Sequence, residues 1–333
     1  MTLDSIIQQN NSDLISEILI VDGVSNDGTR EIIKPYIKTN NNVQLIDNPD
    51  KIVSTGFNRA LSISKGEIIV RVDGHSQLSK DFIKSCITTL DNIDADCVGG
   101  PTEHISSGLI GNTIKIAQSS KFGVGGAEFR KGVINGKYVD TLAFGAYRRE
   151  VFEKIGGYDE ELVRNQDDEF NFRLIQNGGK IWLDPSIKSF YYPRKSLLKL
   201  FKQYFQYGFY KIRVVQKRRG FSSWRQIIPS IFVISLLIFF FYAIAFSVIF
   251  PFYLLILIYS SVNLIAVLFE IVKMVLKNKP RNKPQFSFVI FVVLPLVYFI
   301  LHFSYGLGSV LGLIYFWDKW NDIDLKDNKY IRS

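Results

Sequence analysis

The sequence predicts an α/β domain followed by membrane-spanning helices, and three observations support this prediction. Residues 1–193 alternate short apolar runs with segments of helical periodicity, as the strands and helices of an α/β domain do. Residues 227–316 contain three long apolar stretches that carry almost no charge. Basic side chains without any Asp or Glu occupy residues 194–226, between these two regions. We therefore divide the chain into an α/β domain, a basic juxtamembrane segment, a membrane region and a polar tail, residues 317–333.

The strands and helices of the predicted α/β domain follow one another as βα units do. Residues 18–21 form an apolar strand that ends on Asp22, and a turn and a helical pattern follow. Asp27 or Ser25 can cap this helix, because either side chain accepts hydrogen bonds from free N–H groups. A second short strand lies within residues 41–49. The alternation predicts a mostly parallel sheet, in which ligands bind at the carboxyl ends of the strands.

A third strand, residues 68–70, brings two potential metal ligands to the same edge of the predicted sheet. Asp73 and His75 follow it, one residue apart, just as Asp22 ends the first strand. A divalent cation that holds a diphosphate needs only one or two protein side chains, since phosphate oxygens and water complete its shell. Imidazole suits Mn²⁺ better than Mg²⁺. A turn after the strand can bring both side chains to one ion. The alternative is a solvated loop acid beside a capping histidine.

Three consecutive acids, Asp167, Asp168 and Glu169, begin another helical pattern. Acids favour helix N-termini electrostatically, and this explains one or two of them. Three together, with Arg173 one turn later, can instead supply a general base, because neighbouring carboxylates raise one another's pKa.

The three apolar stretches predict helices that cross a membrane. Residues 227–249 and 252–272 each match the roughly 20 residues that a helix needs to span the hydrocarbon, and Pro251 separates them as a tight hairpin. Residues 286–316 are long for one straight span, and Pro295 with several glycines indicates a kink, a re-entrant piece or a tilted helix. A soluble helical core would need charges on the faces of these segments, and such charges are missing.

The formal net charge of +9 is concentrated beside these stretches. Ten Lys and Arg side chains and no acid lie within residues 194–225. Nucleic acid would explain such a run, but its position next to an apolar segment favours anionic lipid headgroups. The basic loop within residues 273–283 belongs on the same, cytoplasmic, side, with an even number of crossings between the two. The side of the polar tail stays open.

The remaining composition fits a cytosolic domain. Cys86 and Cys97 form no CxxC and have no metal-site spacing, so we expect reduced thiols. Residues 1–11 are polar and lack the basic-then-apolar pattern of a signal peptide. Membrane insertion is therefore expected to come from the C-terminal stretches.

Seven segments resemble the family 2 glycosyltransferases, in particular the membrane-attached, succinoglycan-type glucosyltransferases of bacterial exopolysaccharide synthesis. They run in the family's order from about residue 3 to residue 211 and read EILIVDGVSNDGT, NPDKIVSTGFNRAL, GEIIVRVDGHS, FGVGGAEFR, VDTLAFGAYRREVFEKIGGYDEEL, RNQDDEFNFRL and YYPRKSLLKLFKQYFQYGFYK. The resemblance implies a GT-A fold, a Rossmann-like nucleotide-diphospho-sugar transferase domain. In it a nucleotide-sugar donor meets a divalent cation, Mn²⁺ or Mg²⁺.

The resemblance also implies residue roles. Asp22 matches the acid that contacts the nucleotide base, and Asp73 matches the first acid of the DxD-like motif, near ribose and metal. His75 stands where many relatives have the second acid, which makes it the implied metal ligand. Asp167 matches the aspartate of the Glu-Asp motif, with Gln166 in place of the glutamate. It is the implied catalytic base of a direct displacement with inversion.

Further positions are carried over as binding candidates. The donor-binding candidates are Asn58 and Arg71, in addition to Asp22 and Asp73. The acceptor or diphosphate candidates are Asp168, Glu169, Arg173, Arg194, Gln203 and Gln206. The glycine-rich segment of residues 122–130 is either an acceptor loop or an ordinary surface connection.

Two departures from the family's pattern are informative. Residues 206–210 read QYGFY where processive relatives carry Gln-x-x-Arg-Trp, which favours the addition of a single sugar. Family members begin with a strand and a Pro- and Asn-containing loop that bind the nucleotide, whereas this chain starts at the helix that follows them. We therefore expect a GT-A domain without its first strand, through a misplaced start or a truncation.

These observations predict an inverting hexosyltransferase. It moves a sugar, from UDP-hexose as the expected donor, to a polyprenyl-linked saccharide in surface polysaccharide synthesis. It is expected to be a multi-pass protein of the inner (plasma) membrane, to contact membrane lipids and to bind no nucleic acid. The alternative is a truncated, non-catalytic, glycosyltransferase-like membrane protein. A transporter is disfavoured, because few ionisable residues, Glu270 and His302, lie in the apolar stretches.

Overall fold

A computed structural model describes residues 1–125, 129, 133–193, 196–220, 224–277 and 288–321. The contacts divide the chain into two compact units. Among the described residues, the first unit comprises 1–103, 129 and 133–191, and the second comprises 104–125 and 192–321. The second unit therefore includes a segment from the middle of the predicted α/β domain, which the sequence did not indicate.

The first unit alternates strands and helices from its beginning. In chain order its elements and the two helices of the inserted segment are α1 (Thr2–Ile7), β1 (Ile18–Asp22), α2 (Thr29–Thr39), β2 (Val43–Asp47), α3 (Val53–Ile63), β3 (Ile68–Val70), β4 (Ser76–Leu78), α4 (Phe82–Asn92), β5 (Cys97–Gly99), β6 (Thr102–His104), α5 (Gly108–Ser119), α6 (Lys121–Val124), β7 (Lys137–Tyr138), β8 (Ala146–Arg148), α7 (Arg149–Ile155), α8 (Gln166–Gln176), β9 (Ile181–Leu183) and β10 (Ser189–Tyr191). Helices α5 and α6 belong to the second unit.

The strands of the described residues form three sheets with mixed directions, so the prediction of a mostly parallel sheet is wrong. β1 pairs in parallel with β2, and the largest sheet has the order β3-β8-β5-β9-β7. Among its described pairs of neighbouring strands only β5–β9 is parallel, while β8 runs antiparallel to both β3 and β5 and β7 runs antiparallel to β9. The reason is that β8 is inserted between β3 and β5 and runs in the opposite direction. The third sheet has the order β4-β10-β6.

The separation of β1 from β3 changes where the two predicted site acids lie. Asp22 ends β1 in the two-stranded sheet, whereas Asp73 follows β3 at one edge of the five-stranded sheet. In the described part of the chain, β1 is paired only with β2, and β3 only with β8. The expectation that both acids end strands of one continuous sheet is therefore corrected.

The core of the first unit is rich in aromatic rings, and α8 packs against them through Phe170. Phe170 of α8 is fully buried, stacks on Phe152 at 5.1 Å and meets Tyr158 and Tyr147 edge to face. Such ring contacts add to the free energy gained by burying the rings themselves. Helix α8 is thereby fixed against α7, with its N-terminus placed at the candidate site.

Both cysteines are buried in the first unit as free thiols, Cys97 in this aromatic cluster and Cys86 in a second apolar cluster. Cys86 and Cys97 are fully buried, and burial raises the pKa of each thiol. Neutral, buried thiols are poor nucleophiles, so they act as small apolar side chains. The prediction of reduced thiols is confirmed.

In its described residues, the second unit contains three helices long and apolar enough to span a membrane. Its long helices are α9 (Leu197–Arg218), α10 (Ile228–Phe246), α11 (Phe250–Lys277) and α12 (Phe288–Tyr315). The apolar spans run over Trp224–Phe246, Phe250–Leu276 and Ile290–Tyr315, as predicted. Of these, 39% of the third and 11% of each of the others is buried, so α12 is the inner helix. The large apolar side chains exposed on α10 and α11 would be unfavourable in water and suit a lipid environment.

The third apolar stretch is one continuous helix, and its glycines serve close packing. A Cβ added at Gly308 would overlap the carbonyl oxygen of Phe205 in α9, and one added at Gly208 in α9 would overlap that of Tyr305. Glycine therefore lets the α9 and α12 backbones approach closely, as small residues do between membrane helices. The kinked or re-entrant alternatives are not needed to explain these glycines, and Pro295 lies inside the helix.

The predicted break between the first two spans is present, but it precedes the proline. Helix α10 ends at Phe246, and Ser247 takes a left-handed conformation with φ of 56°. Pro251 then lies in the first turn of α11, where a missing backbone N–H costs nothing. The basic loop residues Lys279, Arg281 and Lys283 and the tail from residue 322 lie outside the described residues.

Candidate active site

A hydrogen-bonded turn follows β3 and carries both predicted metal ligands. Ser76 donates its backbone N–H to the Asp73 carbonyl oxygen at 3.0 Å, and its hydroxyl donates to the same oxygen at 2.6 Å. This bond closes a four-residue turn with Asp73 at the first position and His75 at the third. The Thr2 hydroxyl also donates to the carbonyl oxygens of Gly74 and Ser76, at 2.9 and 2.7 Å.

Arg71 links Asp73 to Asp167, which is far from it in sequence. Its Nη2 lies 2.8 Å from Oδ1 of Asp73, and its Nη1 lies 3.8 Å from Oδ2 of Asp167. The guanidinium is 12% exposed, whereas the two carboxylates are 27% and 37% exposed. The positively charged guanidinium of Arg71 therefore lies between two carboxylates that remain accessible to a ligand.

Tyr158 completes the surroundings of this guanidinium. Its hydroxyl lies 3.5 Å from Nη1 of Arg71, and the guanidinium carbon sits 5.7 Å from the centroid of its ring. This distance is within the range of a cation–π contact, and Tyr158 is itself fully buried. The ring thus restricts the side chain of Arg71 to the position between Asp73 and Asp167.

Asp167 lies in the first turn of α8, where its environment makes it more basic. The helix follows Asn165, which takes a left-handed conformation with φ of 62°, and the backbone N–H of Asp168 donates to Oδ1 of Asp167 at 3.0 Å. Partial loss of hydration in this half-buried position raises the pKa of Asp167. Arg71 opposes the rise, and the charges of Asp168 and Asp73 add to it, so the net pKa lies above the ordinary aspartate value.

Asp22 is held by local partners at the end of β1. Its oxygens accept hydrogen bonds from the backbone N–H and the hydroxyl of Ser25, at 2.8 and 2.7 Å, and Arg30 Nε lies 3.1 Å away. Burial would raise the pKa of Asp22, but the Ser25 hydrogen bonds and the Arg30 charge outweigh it, and the pKa is lowered. Asp22 is thus a permanent carboxylate. Since Ser25 is engaged with it, Asp27 is the residue that accepts from Thr29 at the start of α2.

A comparison with protein-family models gives a match to the N-terminal part of the chain. Residues 1–156, which include Asp22, Arg71, Asp73 and His75, match the model described as Glycosyl transferase family 2. Over these residues, slightly less than half of the chain, the match is to a family 2 glycosyltransferase domain. Its alternating strands and helices agree with the GT-A fold predicted for this family.

Curated relatives extend the similarity of this chain beyond the family model. It is 33% identical over 218 residues to the succinoglycan biosynthesis protein ExoA of Rhizobium meliloti, over 65% of this chain and 66% of the relative. It is 28% identical over 306 residues to the dolichyl N-acetyl-alpha-D-glucosaminyl phosphate 3-beta-D-2,3-diacetamido-2,3-dideoxy-beta-D-glucuronosyltransferase of Methanococcus voltae, over 90% and 87% of the two chains. The match to ExoA thus spans slightly less than two thirds of that protein.

Solved structures of glycosyltransferases show a weaker likeness. GalNAc-T7 with UDP, GalNAc and Mn²⁺ aligns over 64% of this chain and 44% of that one, with 18% identity and a TM-score of 0.48. TarS 1–349 of S. aureus in complex with UDP-GlcNAc aligns over 62% and 60%, with 16% identity and a TM-score of 0.43.

Asn58 is engaged within the protein, and its predicted contact with a donor stays a prediction. Its amide nitrogen donates to the carbonyl oxygen of Tyr158 at 2.8 Å and to Glu160 at 2.9 Å, while its oxygen accepts from the N–H of Tyr158 at 2.8 Å. The side chain is fully buried, and a Cβ at Gly157 would overlap its oxygen. Asn58 therefore acts through Tyr158, the residue beneath Arg71.

Glu169 and Arg173 likewise pair with each other inside the protein, and their predicted role toward an acceptor stays a prediction. They form a two-point ion pair in which both N–O distances are 2.9 Å, with the side chains only 3% and 9% exposed. Arg173 also donates to the carbonyl oxygens of Ile155 and Gly157. These hydrogen bonds connect α8 to the end of α7, and the polar groups of the pair bond to other groups of the protein.

The other predicted acceptor residues are distributed over the chain. Asp168 is half-buried beside Asp167 in the first unit. Gln203 and Gln206 lie on α9 in the second unit, where the Gln203 amide nitrogen donates to the Tyr207 hydroxyl at 2.9 Å. Arg194, and residues 126–128 and 130 of the glycine-rich segment, lie outside the described residues. The role of these residues toward an acceptor stays a prediction.

The donor set at the turn fits a cation that a diphosphate completes. Asp73 offers a carboxylate that is one quarter exposed and His75 an imidazole, whose ring meets that of Tyr191 edge to face at 4.9 Å. Among the residues that the structure describes, no group of three or more His, Cys, Asp or Glu could hold a metal ion by itself. A site of two protein ligands agrees with the predicted type, in which phosphate oxygens supply the remaining ligands.

Sequence reasoning missed two residues of this site. Tyr158 was read only as part of a family segment, because a buried tyrosine near a site has the same pattern as one in the core. Gln166 was noted only as a replacement for glutamate, yet it is 5% exposed and its Oε1 has no hydrogen-bond partner within the described residues. A buried, unsatisfied amide next to Asp167 has no sequence signal.

Proposed function

We propose that the chain is an inverting glycosyltransferase that moves one hexose from a nucleotide sugar, UDP-hexose being the expected donor, to a lipid-linked saccharide. The observation that carries this proposal is the position of Asp167, a carboxylate of raised pKa held 3.8 Å from Arg71 and so next to Asp73. A base and a donor-binding acid that stand together can act on the two sides of one sugar.

In this reaction Asp167 takes the proton of the acceptor hydroxyl as its oxygen attacks the anomeric carbon. A new carbon–oxygen bond forms on one face of the sugar while the bond to the diphosphate breaks on the other, which inverts the anomeric configuration. The nucleoside diphosphate leaves with the bonding electron pair. The raised pKa of Asp167 suits this role, because a base is most effective when its pKa approaches the working pH.

Asp73 and His75 would hold the divalent cation, and Asp22 the nucleotide base. A bound cation would neutralise charge that develops on the departing diphosphate. Mn²⁺ is the expected ion, because one of the two ligands is an imidazole. Asn58 and Tyr158 support this arrangement by holding Arg71 in place.

The lipid-linked acceptor is supported by the helices of the second unit and by one relative. Three apolar helices would anchor the chain in a membrane, and the Methanococcus relative is named for a dolichyl N-acetylglucosaminyl phosphate substrate. The exposed basic side chains of α9, Lys199 and Lys202, would face anionic headgroups on the cytoplasmic side of the inner membrane, whereas Lys211, Arg213 and Arg218 of the same helix are buried within the protein. Surface polysaccharide assembly, as in the ExoA relative's name, is the expected context.

The test is sugar transfer by the purified full chain to a polyprenyl diphosphate saccharide, with a panel of UDP-hexoses and Mn²⁺. We expect Asp167→Asn to lose about 10²–10⁴-fold in turnover, the usual contribution of a general base, while donor binding changes less than about twofold. Asp91→Asn, on an exposed face of α4, is the matched control and should leave both unchanged.

The same assay separates the proposal from a non-catalytic membrane protein. Binding of a UDP-hexose with no transfer to any lipid-linked saccharide would favour the non-catalytic alternative. Transfer that survives Asp167→Asn would exclude Asp167 as the base. Retention of the anomeric configuration in the product would exclude direct displacement.

A further inference from the structure

Arg71 is already paired with Asp73, the carboxylate that the proposed function assigns to the divalent cation. Its Nη2 lies 2.8 Å from Oδ1 of Asp73, in a partly buried ion pair. A divalent cation that binds Asp73 must either displace the guanidinium or lie close beside it. Both arrangements cost free energy, since the first breaks a charge-assisted hydrogen bond and the second places like charges together.

The guanidinium has other partners when it loses Asp73. Asp167 lies 3.8 Å from its Nη1, the Tyr158 hydroxyl lies 3.5 Å away, and the Tyr158 ring lies beneath the guanidinium carbon. Displacement from Asp73 therefore does not leave a buried charge unpaired, which would be far more costly. The exchange is thus feasible without a change in the fold.

We propose that Arg71 is a positioning residue that competes with the divalent cation for Asp73 and so makes cation binding depend on the nucleotide diphosphate. The inference rests on the proposed function, because it assumes that Asp73 is a cation ligand. A diphosphate contributes both ligand oxygens and negative charge, which offset the repulsion between the guanidinium and the cation. The cation and the nucleotide then bind as a pair, and neither occupies the site strongly alone.

The inference is specific to the charge at position 71. Lys keeps a positive charge near Asp73 and is the matched control, whereas Met keeps the apolar stem and removes the charge. We therefore expect Arg71→Met to bind Mn²⁺ alone more tightly than the wild type does. We expect Arg71→Lys to behave like the wild type.

The experiment is Mn²⁺ titration of the detergent-purified full chain, followed by electron paramagnetic resonance of free Mn²⁺, with and without UDP. In the absence of UDP, the affinity of Arg71→Met for Mn²⁺ should exceed that of the wild type by about tenfold, with Arg71→Lys within about threefold of the wild type. The gain in Mn²⁺ affinity that UDP produces should be large in the wild type and several-fold smaller in Arg71→Met. No catalytic turnover is needed for this readout.

Two outcomes would overturn the inference. Mn²⁺ binding to Arg71→Met that is unchanged or weaker without UDP would mean that Arg71 holds Asp73 ready for the cation instead of competing with it. Wild-type protein that binds Mn²⁺ equally well with and without UDP would also exclude it, even if the variants do not fold. The variant Asp73→Asn distinguishes failure of the proposed function from failure of this inference alone. If it leaves Mn²⁺ binding intact, the cation role in the proposed function fails; if it weakens binding and Arg71→Met gains nothing, only this inference fails.

Discussion

Asp167 and Asp73 are two carboxylates held by one guanidinium, that of Arg71. The proposed base and the proposed donor-binding acid are therefore coupled electrostatically, and a change in charge at one affects the other. The coupling depends on residues with no charge of their own. Tyr158 limits the position of Arg71, and Asn58 fixes the backbone of Tyr158.

The pH dependence of transfer should report this coupling. A base acts as its carboxylate, so kcat/KM should fall as the pH decreases through the pKa of Asp167, at a higher pH than an ordinary aspartate would give. Arg71 lowers that pKa, so Arg71→Gln should move the acid limb to higher pH. Measured pH profiles of the two proteins check this.

Arg59→Gln is the control for the pH experiment, since Arg59 pairs with Asp50 on an exposed surface. Its acid limb should coincide with that of the wild type. An acid limb that moves downward in Arg71→Gln would contradict the assignment of Asp167 as the titrating base.

The Glu169–Arg173 pair should contribute to stability more than to chemistry. Glu169→Gln leaves the buried Arg173 without its carboxylate, which typically costs about 3–5 kcal/mol. For a chain of this size, we expect the midpoint of thermal unfolding in detergent to fall by roughly 6–15 °C. Glu31→Gln, in an exposed pair with Lys34, should change the midpoint by about 1 °C or less. An unchanged midpoint for Glu169→Gln would show that the pair is not structural.

At this scale, sequence patterns identified the acids better than their partners. Asp22, Asp73 and Asp167 could be identified from sequence motifs, because Asp22 ends a strand, Asp73 follows one and Asp167 lies in the first turn of a helix. The ion pair between Glu169 and Arg173 was not predicted, since an acid and an arginine four residues apart occur as often on a solvated helix face. The Asn58 amide forms its hydrogen bonds with Tyr158, which lies in a loop 100 residues away, and no local sequence pattern reveals such a contact.

Among the elements, the sheets depart most from the prediction. The alternation of strands and helices was predicted correctly, but strand direction was not, because β8 enters between β3 and β5 from a loop instead of a crossover helix. Chain connections of this kind have no periodic signature. The β1–β2 sheet has only two strands, so it relies on packing from helices such as α3 for its stability.

The α9–α12 contact depends on glycine in both helices. Gly208→Ala and Gly308→Ala each place a methyl group against a backbone carbonyl, that of Tyr305 or Phe205, and such overpacking typically costs about 1–3 kcal/mol. We expect a lower midpoint of thermal unfolding for both variants in detergent. Gly220→Ala is the control, because a Cβ there meets no atom within 4 Å. Equal midpoints for all three variants would show that the helices can move apart without cost.

For the whole molecule, composition alone predicted the arrangement of an α/β part followed by apolar helices. The three spans coincide with the predicted stretches, because lipid-exposed helices need an unbroken apolar surface that is readable in sequence. The assignment of α5 and α6 to the second unit was not predicted. Ile114 and Ala117 of α5 join the core formed by α9, α11 and α12, and this depends on contacts between distant parts of the chain.

Attachment to the membrane through the three apolar helices and attachment through the basic segment predict different responses to salt. A chain held by three apolar helices should remain in the membrane pellet after washing with about 1 M salt and after alkaline carbonate treatment, whereas attachment through basic residues alone is screened by salt. Immunoblots of pellet and supernatant from cells that express the full chain check this. Release by salt would show that the helices do not span the bilayer.

The membership of α5 in the core of the apolar helices has a practical consequence for protein production. Removing the C-terminal spans by truncation would also strip Ile114, Ala117 and the buried face of α9 of the side chains that cover them. The shortened polypeptide would present fresh apolar surface in the middle of its sequence, far from the cut. We therefore expect it to aggregate, and soluble samples to need either the intact chain in detergent or redesign of the α5 surface as well.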